Sequence, residues 1–182
     1  IGTGSVLIII VLAQELGADE ASTGAIFSMA AAAGIVGAAL GGRIQRRFAI
    51  GKIIMAITWT RVLAVPLYAF APNVWVLGII YSIIVFTMPV YSVVVLSYRL
   101  VLIPDALQGR VNSAVRLLVF GFQPLGSALA GLLLENIGSV PTVWVFSAIM
   151  LGLGLVVAFT PTLRNARVEE VEGVKPQGVT SG

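Results

Sequence analysis

Arg61 is the residue of this 182-residue chain best placed for binding chemistry, because it stands near the middle of an apolar run. About ten residues separate it from either end of that run. If the run crosses a bilayer, a central arginine costs about 2.5–3.5 kcal/mol on insertion scales, so it is expected to serve a function or to be paired. No acidic residue lies at the same depth. A functional role and a structural pair with an acid on another segment both remain open.

A stripe of polar residues marks the fifth apolar run. Asn112, Arg116, Gln123 and Ser127 are separated by four, seven and four positions, which places them on one face of an α-helix. Gly131 extends that face with a bare patch. Gln123 lies too deep to reach the membrane surface. It either makes an interhelical hydrogen bond, worth about 0.6 kcal/mol on average, or lines a cavity, and the several members of the stripe favour the cavity.

Aromatic and sulfur-containing side chains follow the fourth run at spacings of seven, three and seven: Tyr81, Met88, Tyr91 and Tyr98. Such a face most often serves helix packing, although it would also suit an amphipathic or aromatic cargo. Three prolines interrupt apolar runs at mid-depth: Pro66, Pro89 and Pro124. Proline removes a backbone hydrogen bond and kinks a helix, and broken helices are common in alternating-access transporters.

The residue types that most catalytic and metal chemistry requires are missing. The chain has no His and no Cys, which excludes disulfides, zinc and haem sites built on these ligands, and histidine acid–base chemistry. Paired carboxylates are absent from the apolar runs as well, so neither metal-assisted hydrolysis nor common acid–base catalysis has its parts. We therefore predict a protein that is not an enzyme and holds no metal and no cofactor.

The elements that position these residues are membrane helices. The chain is 58% hydrophobic and only 10% charged, against about 25% charged residues in an ordinary soluble domain. Six apolar runs are too long for barrel strands and lack their alternation. They are residues 1–16, 24–42, 53–71, 74–96, 111–134 and 143–159. This predicts an all-α polytopic membrane bundle of six transmembrane helices over residues 1–160, followed by a disordered cytoplasmic tail over residues 161–182.

The first run is about 24 Å long as a helix, shorter than the hydrocarbon core of a bilayer. It begins without a Met or a basic segment, so we interpret it as part of a longer chain cut within a helix rather than as a signal peptide. In the second run, Gly37 and Gly41 form a GxxxG pair. Small residues at this spacing let membrane helices approach closely, which favours helix packing over substrate contact.

Charge is distributed very unevenly between the two sides of the predicted bundle. Numbering the connections alternately places ten of the eleven basic residues on one side. Nine lie in predicted loops over residues 43–52 and 97–110 and in the tail, and Arg116 lies near the same end of the fifth run. Lys and Arg are absent from the other side. The positive-inside rule makes the basic side cytoplasmic, which predicts an integral protein of a bacterial plasma (inner) membrane, embedded in lipid. No aromatic-interleaved groove accompanies these charges, so nucleic acid is not an expected partner.

Two sequence patterns resemble the major facilitator superfamily. Residues 42–49, GRIQRRFA, resemble its cytoplasmic loop pattern G-R-L-A-D-R-F-G, with Arg46 in place of the aspartate and Ala49 in place of the second glycine. The second pattern joins Ile103-Pro104-Asp105, Gly109 to Ser113 and Gln123 to Gly126. It is similar to the loop and eleventh helix of drug and siderophore exporters of the enterobactin-exporter and macrolide-efflux type.

This resemblance implies that the six runs are the C-terminal half of a twelve-helix carrier, built from 3+3 inverted repeats. Its partners would be a missing N-terminal six-helix half, a small-molecule substrate and protons, with a proton-carrying acid in the missing half. Arg61, Tyr91 and Gln123 would then face the substrate cavity. The cytoplasmic gating regions would comprise Gly42, Arg43, Arg47, Asp105, Gly109, Arg110 and Arg116.

Two other interpretations remain. A half-size protein could form a carrier as a homodimer. A non-transporting membrane scaffold or receptor module would instead tolerate substitution at Arg61 and Gln123 and would form no water-accessible cavity.

Overall fold

The chain folds into a bundle of α-helices in the computed structural model, which describes residues 2–102 and 105–159. The helices are α1 (Gly2–Glu15), α2 (Glu20–Arg47), α3 (Ile50–Leu67), α4 (Val74–Leu102), α5 (Asp105–Ile137) and α6 (Ser139–Phe159), with a 3-10 turn over Tyr68–Phe70. The all-α membrane bundle expected from the hydropathy pattern is confirmed. Five helices have the length and composition to cross a membrane, and the apolar segment Gly4–Glu15 is shorter. The tail over residues 161–182 lies outside the described residues.

The two predicted basic loops are largely helical, so that part of the sequence interpretation was wrong. Helix α2 continues to Arg47 and α3 begins at Ile50, which leaves only Phe48 and Ala49 between them. Helix α4 likewise continues to Leu102, and α5 already begins at Asp105. Arginine is a good helix former, and cations at a helix C-terminus interact favourably with the helix dipole, as Arg46 and Arg47 do in the last turn of α2. Polarity alone therefore did not mark a break in the helix.

The turn between α1 and α2 is defined by a glycine and an aspartate. Gly17 has φ +78°, and the N–H groups of Gly17 and Ala18 donate to the carbonyls of Gln14 and Ala13, which closes α1 with a Schellman motif. Asp19 then caps α2, because its carboxylate accepts a hydrogen bond from the Ser22 N–H at 2.9 Å. Hydrogen bonds from the side chain and the backbone of Ser22 lower the pKa of the Asp19 carboxyl, so the cap stays charged near neutral pH.

The helices pack in an interleaved order rather than beside their sequence neighbours. Helix α2 packs along α4, α1 packs on α5, and α3 packs on both α6 and α4, whereas α2 and α3 barely touch. Exchanging α1, α2 and α3 with α4, α5 and α6 turns the α1–α5 pair into the α4–α2 pair and maps the α3–α6 pair onto itself. The contacts are unequal in extent, because α2–α4 is much larger than α1–α5 and α3–α4 has only a small counterpart in α6–α1.

Glycines make the contact between α2 and α4 unusually close. A Cβ atom on Gly37 would lie 2.3 Å from the Phe86 carbonyl oxygen and 3.2 Å from Cγ of Pro89. One turn further, a Cβ atom on Gly41 would contact Val93 at 3.5 Å. On the facing helix, a Cβ atom on Gly78 would lie 3.3 Å from the Ile26 side chain. The expectation that the GxxxG pair serves helix packing is confirmed.

Two of the three mid-run prolines do not end their helices. Pro89 lies inside α4 and Pro124 inside α5, and both helices continue beyond them. Pro66 lies at the end of α3, where the backbone passes into the 3-10 turn. Neighbouring helices in a bundle can satisfy the backbone groups that proline frees.

Gly138 alone joins α5 to α6, and its φ of +81° is one that side chains with a Cβ rarely adopt. No neighbour lies within 4 Å of a Cβ atom built there, so a substitution would act through the backbone conformation alone. We expect Gly138→Ala to lower the free energy of unfolding by about 1–2 kcal/mol. Gly138→Asn should lower it less, because asparagine enters the left-handed region more readily.

Thermal unfolding of the purified protein in one detergent would measure both Gly138 variants against the parent. If the alanine variant is as stable as the parent, residue 138 can adopt a negative φ at little cost in free energy of unfolding.

Candidate functional site

An open cleft of about 620 Å³ separates α4 from α5. Its wall on α4 includes Tyr91 and Ser92, and its wall on α5 includes Asn112, Ser113 and Arg116. Asn112 and Arg116 are four residues apart and therefore lie on one face of α5. The cleft thus combines an aromatic ring, polar groups and a cation on two helices that the bundle holds apart.

Arg61 reaches from α3 across to α4. Its Nε atom donates a hydrogen bond to Oγ1 of Thr87 at 3.2 Å, and its Cζ atom lies 5.9 Å from the centre of the Tyr91 ring. Thr87 is oriented for this role, because its hydroxyl proton is donated to the Ile84 carbonyl at 2.7 Å and a lone pair remains for Arg61. Thr87 and Tyr91 are one turn apart, so they present two successive contacts to one guanidinium group.

Tyr91 connects the buried arginine to the cleft. One face of its ring carries the Arg61 guanidinium, at a distance typical of a cation–π contact. The side chain is 40% exposed and lines the cleft. Tyr91 therefore contacts the Arg61 guanidinium and borders the cleft at the same time. The structure brings together two of the residues predicted from the sequence, Arg61 and Tyr91.

A small space of about 40 Å³ adjoins Arg61. It lies among α1, α3, α4 and α6 and is lined by Arg61, Tyr68, Ser5 and Val143, among others. The Nη2 atom of Arg61 and the hydroxyl of Tyr68 are both buried and have no hydrogen-bond partner among the described residues. A water molecule needs about 10–15 Å³ of such space and at least two polar partners, so the site fits one or two bridging waters.

Gln123 lies apart from this cluster. It is half-buried on α5, seven residues or about 10 Å beyond Arg116, and it is not among the residues that line the cleft. Its backbone carbonyl accepts a hydrogen bond from Ser127 Oγ at 3.1 Å. The stripe predicted on α5 is therefore divided: Asn112 and Arg116 border the cleft, while Gln123 and Ser127 lie deeper.

The predicted aromatic face of α4 is divided in the same way. Tyr81 is buried and packs edge-on against Phe27 of α2, with ring centres 5.8 Å apart. Met88 lines the small space beside Arg61, and Tyr91 lines the cleft. The side chain of Tyr98 lies outside the described part. Packing, the more common role of such a face, accounts for Tyr81.

The predicted gating residues lie in the last turns of α2 and in the N-terminal part of α5. Gly42, Arg43 and Arg47 are exposed in the last turns of α2, and Gly109 and Arg110 are exposed in the first turns of α5. Gly109 and Arg116 also line the cleft. Asp105 begins α5, but its side chain lies outside the described part. Among the described side chains, no ion pair joins Arg43, Arg47 or Arg110 to an acid, so their role in gating stays a prediction.

Thr87 and Tyr68 were missed by reasoning from the sequence. The sequence could have indicated Thr87, because it is a polar residue one turn before Tyr91 in an apolar helix. It could not have indicated Tyr68, because a tyrosine near a membrane surface is ordinary. Among the described residues, no three His, Cys, Asp or Glu side chains meet as a metal site would require.

A bundle of long apolar helices that holds a half-buried arginine and opens a polar cleft defines a polytopic integral membrane protein. The family model of the Major Facilitator Superfamily matches residues 1–181. The chain belongs to this superfamily, whose members are membrane transporters. A comparison with curated proteins and a comparison with solved structures each gave no match.

Proposed function

We propose that the chain forms the C-terminal half of a secondary active carrier that exports a drug-like or siderophore-like small molecule by alternating access. The observation that carries this proposal is the cleft between α4 and α5 with Arg61 held behind its Tyr91 wall. A cargo with an aromatic, amphipathic character suits these groups, since Tyr91 offers a ring face and Asn112 and Arg116 offer polar contacts. The resemblance to exporters at residues 103–105, 109–113 and 123–126 supports the same branch.

The exposed surface of α5 supports a second six-helix half as the partner. Large apolar side chains on several sides of α5 are 58–75% exposed, among them Leu117, Leu118, Phe120 and Phe122. Helix α5 contacts α1 closely where Gly4 meets Gly126 and Ala130. Lipid can cover one side of such a helix, but the cleft beside it is polar and requires a protein or water boundary. A second half placed there would complete the cavity.

The pairing of α1 with α5, of α2 with α4 and of α3 with α6 supports the 3+3 inverted repeats of this arrangement. We further propose proton coupling, with the proton-carrying acid in the second half. The four acids whose side chains are described, Glu15, Asp19, Glu20 and Glu135, lie at helix ends rather than at mid-depth. The exposed arginines at the ends of α2 and α5 favour a cytoplasmic location for that side, in a bacterial plasma membrane.

Single cysteines provide the test, because the chain contains none of its own. We expect Ser92→Cys and Ser113→Cys in the cleft to react with a charged, membrane-impermeant thiol reagent, and only when the reagent reaches the basic side. Leu153→Cys on α6 is the matched control. Leu153 is 49% exposed, more than Tyr91, but it lies in an apolar helix where lipid would suppress thiolate formation.

Equal and low labelling of the cleft cysteines and the α6 cysteine would place the cleft against lipid or protein and remove the support for a carrier. Labelling of Ser113→Cys from the opposite side alone would reverse the proposed orientation.

A further inference from the structure

A second cavity, of about 420 Å³, lies between α2 and α3 and is floored by α4. It exists because α2 and α3 both pack on α4 but hardly on each other. Ile44 and Phe48 form its α2 wall, Ile53, Ala56 and Thr60 lie along its α3 wall, and Phe86 and Val90 belong to its floor. We call this cavity the α2–α3 groove.

The α2–α3 groove lies on the opposite side of α4 from the cleft. Phe86, Thr87 and Val90 of α4 line the groove, whereas Tyr91, Ser92, Val95 and Leu96 line the cleft. At 100° per residue, the mean directions of these two sets differ by about 160°. A molecule in the groove would therefore be separated from a cargo in the cleft by the whole thickness of α4.

The groove is apolar along its length and cationic at one end. Lys52 is exposed at the mouth and is the only charged residue that lines it among those described. From Lys52 to Thr60 the α3 wall extends about 12 Å, close to the roughly 15 Å of one leaflet of the hydrocarbon core. A hydrocarbon chain that entered beside Lys52 could run along the groove for most of its leaflet.

The same end of the groove has further features that favour an anion. Lys52 lies in the first turn of α3, where the helix dipole already makes the potential positive. Ala49 at the N-cap position of α3 offers no side-chain acceptor to the first N–H groups. Arg47, in the turn between Ile44 and Phe48 on the facing helix, adds a second cation. Within the described part of the chain, neither Lys52 nor Arg47 forms an ion pair with an acid.

We propose that the α2–α3 groove is a binding site for an anionic phospholipid. One acyl chain lies against Ile53, Ala56 and Val90, and the headgroup phosphate lies between Lys52 and the N-terminus of α3. The apolar length selects a lipid over a free anion, and the cationic end selects an anionic headgroup over a zwitterionic one. The site is independent of the cargo cleft and of the direction of transport.

Native mass spectrometry of the purified full chain in detergent tests the proposal. Phosphatidylglycerol and phosphatidylcholine with identical acyl chains are titrated separately. We expect one phosphatidylglycerol to bind several-fold more tightly than phosphatidylcholine. Lys52→Gln should reduce the preference for phosphatidylglycerol about fivefold, since a lysine near an anionic lipid surface contributes about 1 kcal/mol. Arg110→Gln, which removes a cation from the end of α5, should leave it unchanged.

Filling the groove provides the second arm. Ala56→Phe should weaken the binding of both lipids, because its ring would occupy the path of the acyl chain. Ala148→Phe on an exposed face of α6 is the matched control for added bulk and should bind lipid as the parent does. Melting temperatures of all variants in detergent would show that each is folded. If Ala56→Phe does not fold, Lys52→Gln still tests the proposal, because it changes only a surface side chain.

Three results would overturn the proposal. Equal binding of the two lipids by the parent would mean a nonselective lipid surface. A loss of preference in Arg110→Gln but not in Lys52→Gln would place the anion site elsewhere. Displacement of phosphatidylglycerol by millimolar inorganic phosphate would identify a site for free anions.

Discussion

Replacing Gly37 with alanine is expected to separate α2 from α4 and to reduce sharply the amount of folded protein. The new methyl group would lie 2.3 Å from the Phe86 carbonyl oxygen, and this obstacle is backbone that cannot rotate away. Pro89 is held against the same position at 3.2 Å. Overpacking in a core typically costs about 1–3 kcal/mol, occasionally more. We expect a value at or above the top of that range, because the two helices must move apart along their main contact.

Gly24→Ala is the matched control for this substitution. Gly24 lies in the same helix, but no neighbour lies within 4 Å of a Cβ atom built there. Alanine should therefore raise the free energy of unfolding by about 0.5–1 kcal/mol through its better helix propensity. Thermal unfolding and size-exclusion profiles of both variants in one detergent give the comparison. If the Gly37 variant were as stable as the Gly24 variant, α2 and α4 could not be packed as closely as described.

Replacing Arg61 with leucine is expected to abolish transport while leaving the protein at least as stable as the parent. On insertion scales, arginine at the centre of a membrane helix is unfavourable by about 2.5–3.5 kcal/mol and leucine is favourable by about 0.3–0.6 kcal/mol. The substitution also removes the buried Nη2 atom that has no hydrogen-bond partner in the described part of the chain. Transport should fail because Tyr91 loses the charge behind its ring and Thr87 loses its donor.

Two further variants separate the charge of Arg61 from its geometry. Arg61→Lys keeps the charge but has only one nitrogen with which to contact both Thr87 and Tyr91, so we expect partial activity. Thr87→Val removes the oxygen that Nε contacts at 3.2 Å and keeps the charge, so we expect a smaller loss than for leucine. Accumulation of a fluorescent amphipathic dye, with and without an uncoupler, measures transport in cells that express the chain joined to its second six-helix half. Full activity of the leucine variant at equal expression would assign Arg61 a structural role at most.

The sequence predicted the class of fold because hydropathy is a local property. Each of the six helices corresponds to one apolar run, although α2, α4 and α5 extend further than the runs do. Charged residues at their ends continue the helix beyond the membrane boundary, where hydropathy changes but backbone hydrogen bonding does not. Within the sequence, only the resemblance at residues 42–49 and 103–126 indicated the superfamily. The family match confirmed it.

The cluster around Arg61 was predictable only in part. Its depth indicated that it needed partners, and the helical spacing on α4 drew attention to Tyr91. Nothing in the sequence states that α3 packs on α4 at this height, so Thr87 could not be chosen as the partner. Gln123 was grouped with Arg61 because both are polar at mid-depth. Depth does not determine which side of the bundle a residue faces. Asn112 and Arg116 line the cleft, and a place for Gln123 at the substrate cavity stays a prediction.

The interleaved helix order has a consequence for biosynthesis. Helices α1, α2 and α3 leave the ribosome before α4, α5 and α6, yet their main partners are α5, α4 and α6. Each must therefore enter the bilayer before its partner is available, since contacts between distant segments close late. Helix α3 enters with Arg61 while Thr87 and Tyr91 of α4 are still inside the ribosome. For that interval the nascent chain holds a charge in lipid with neither contact formed, which makes α3 the segment most dependent on the insertion machinery.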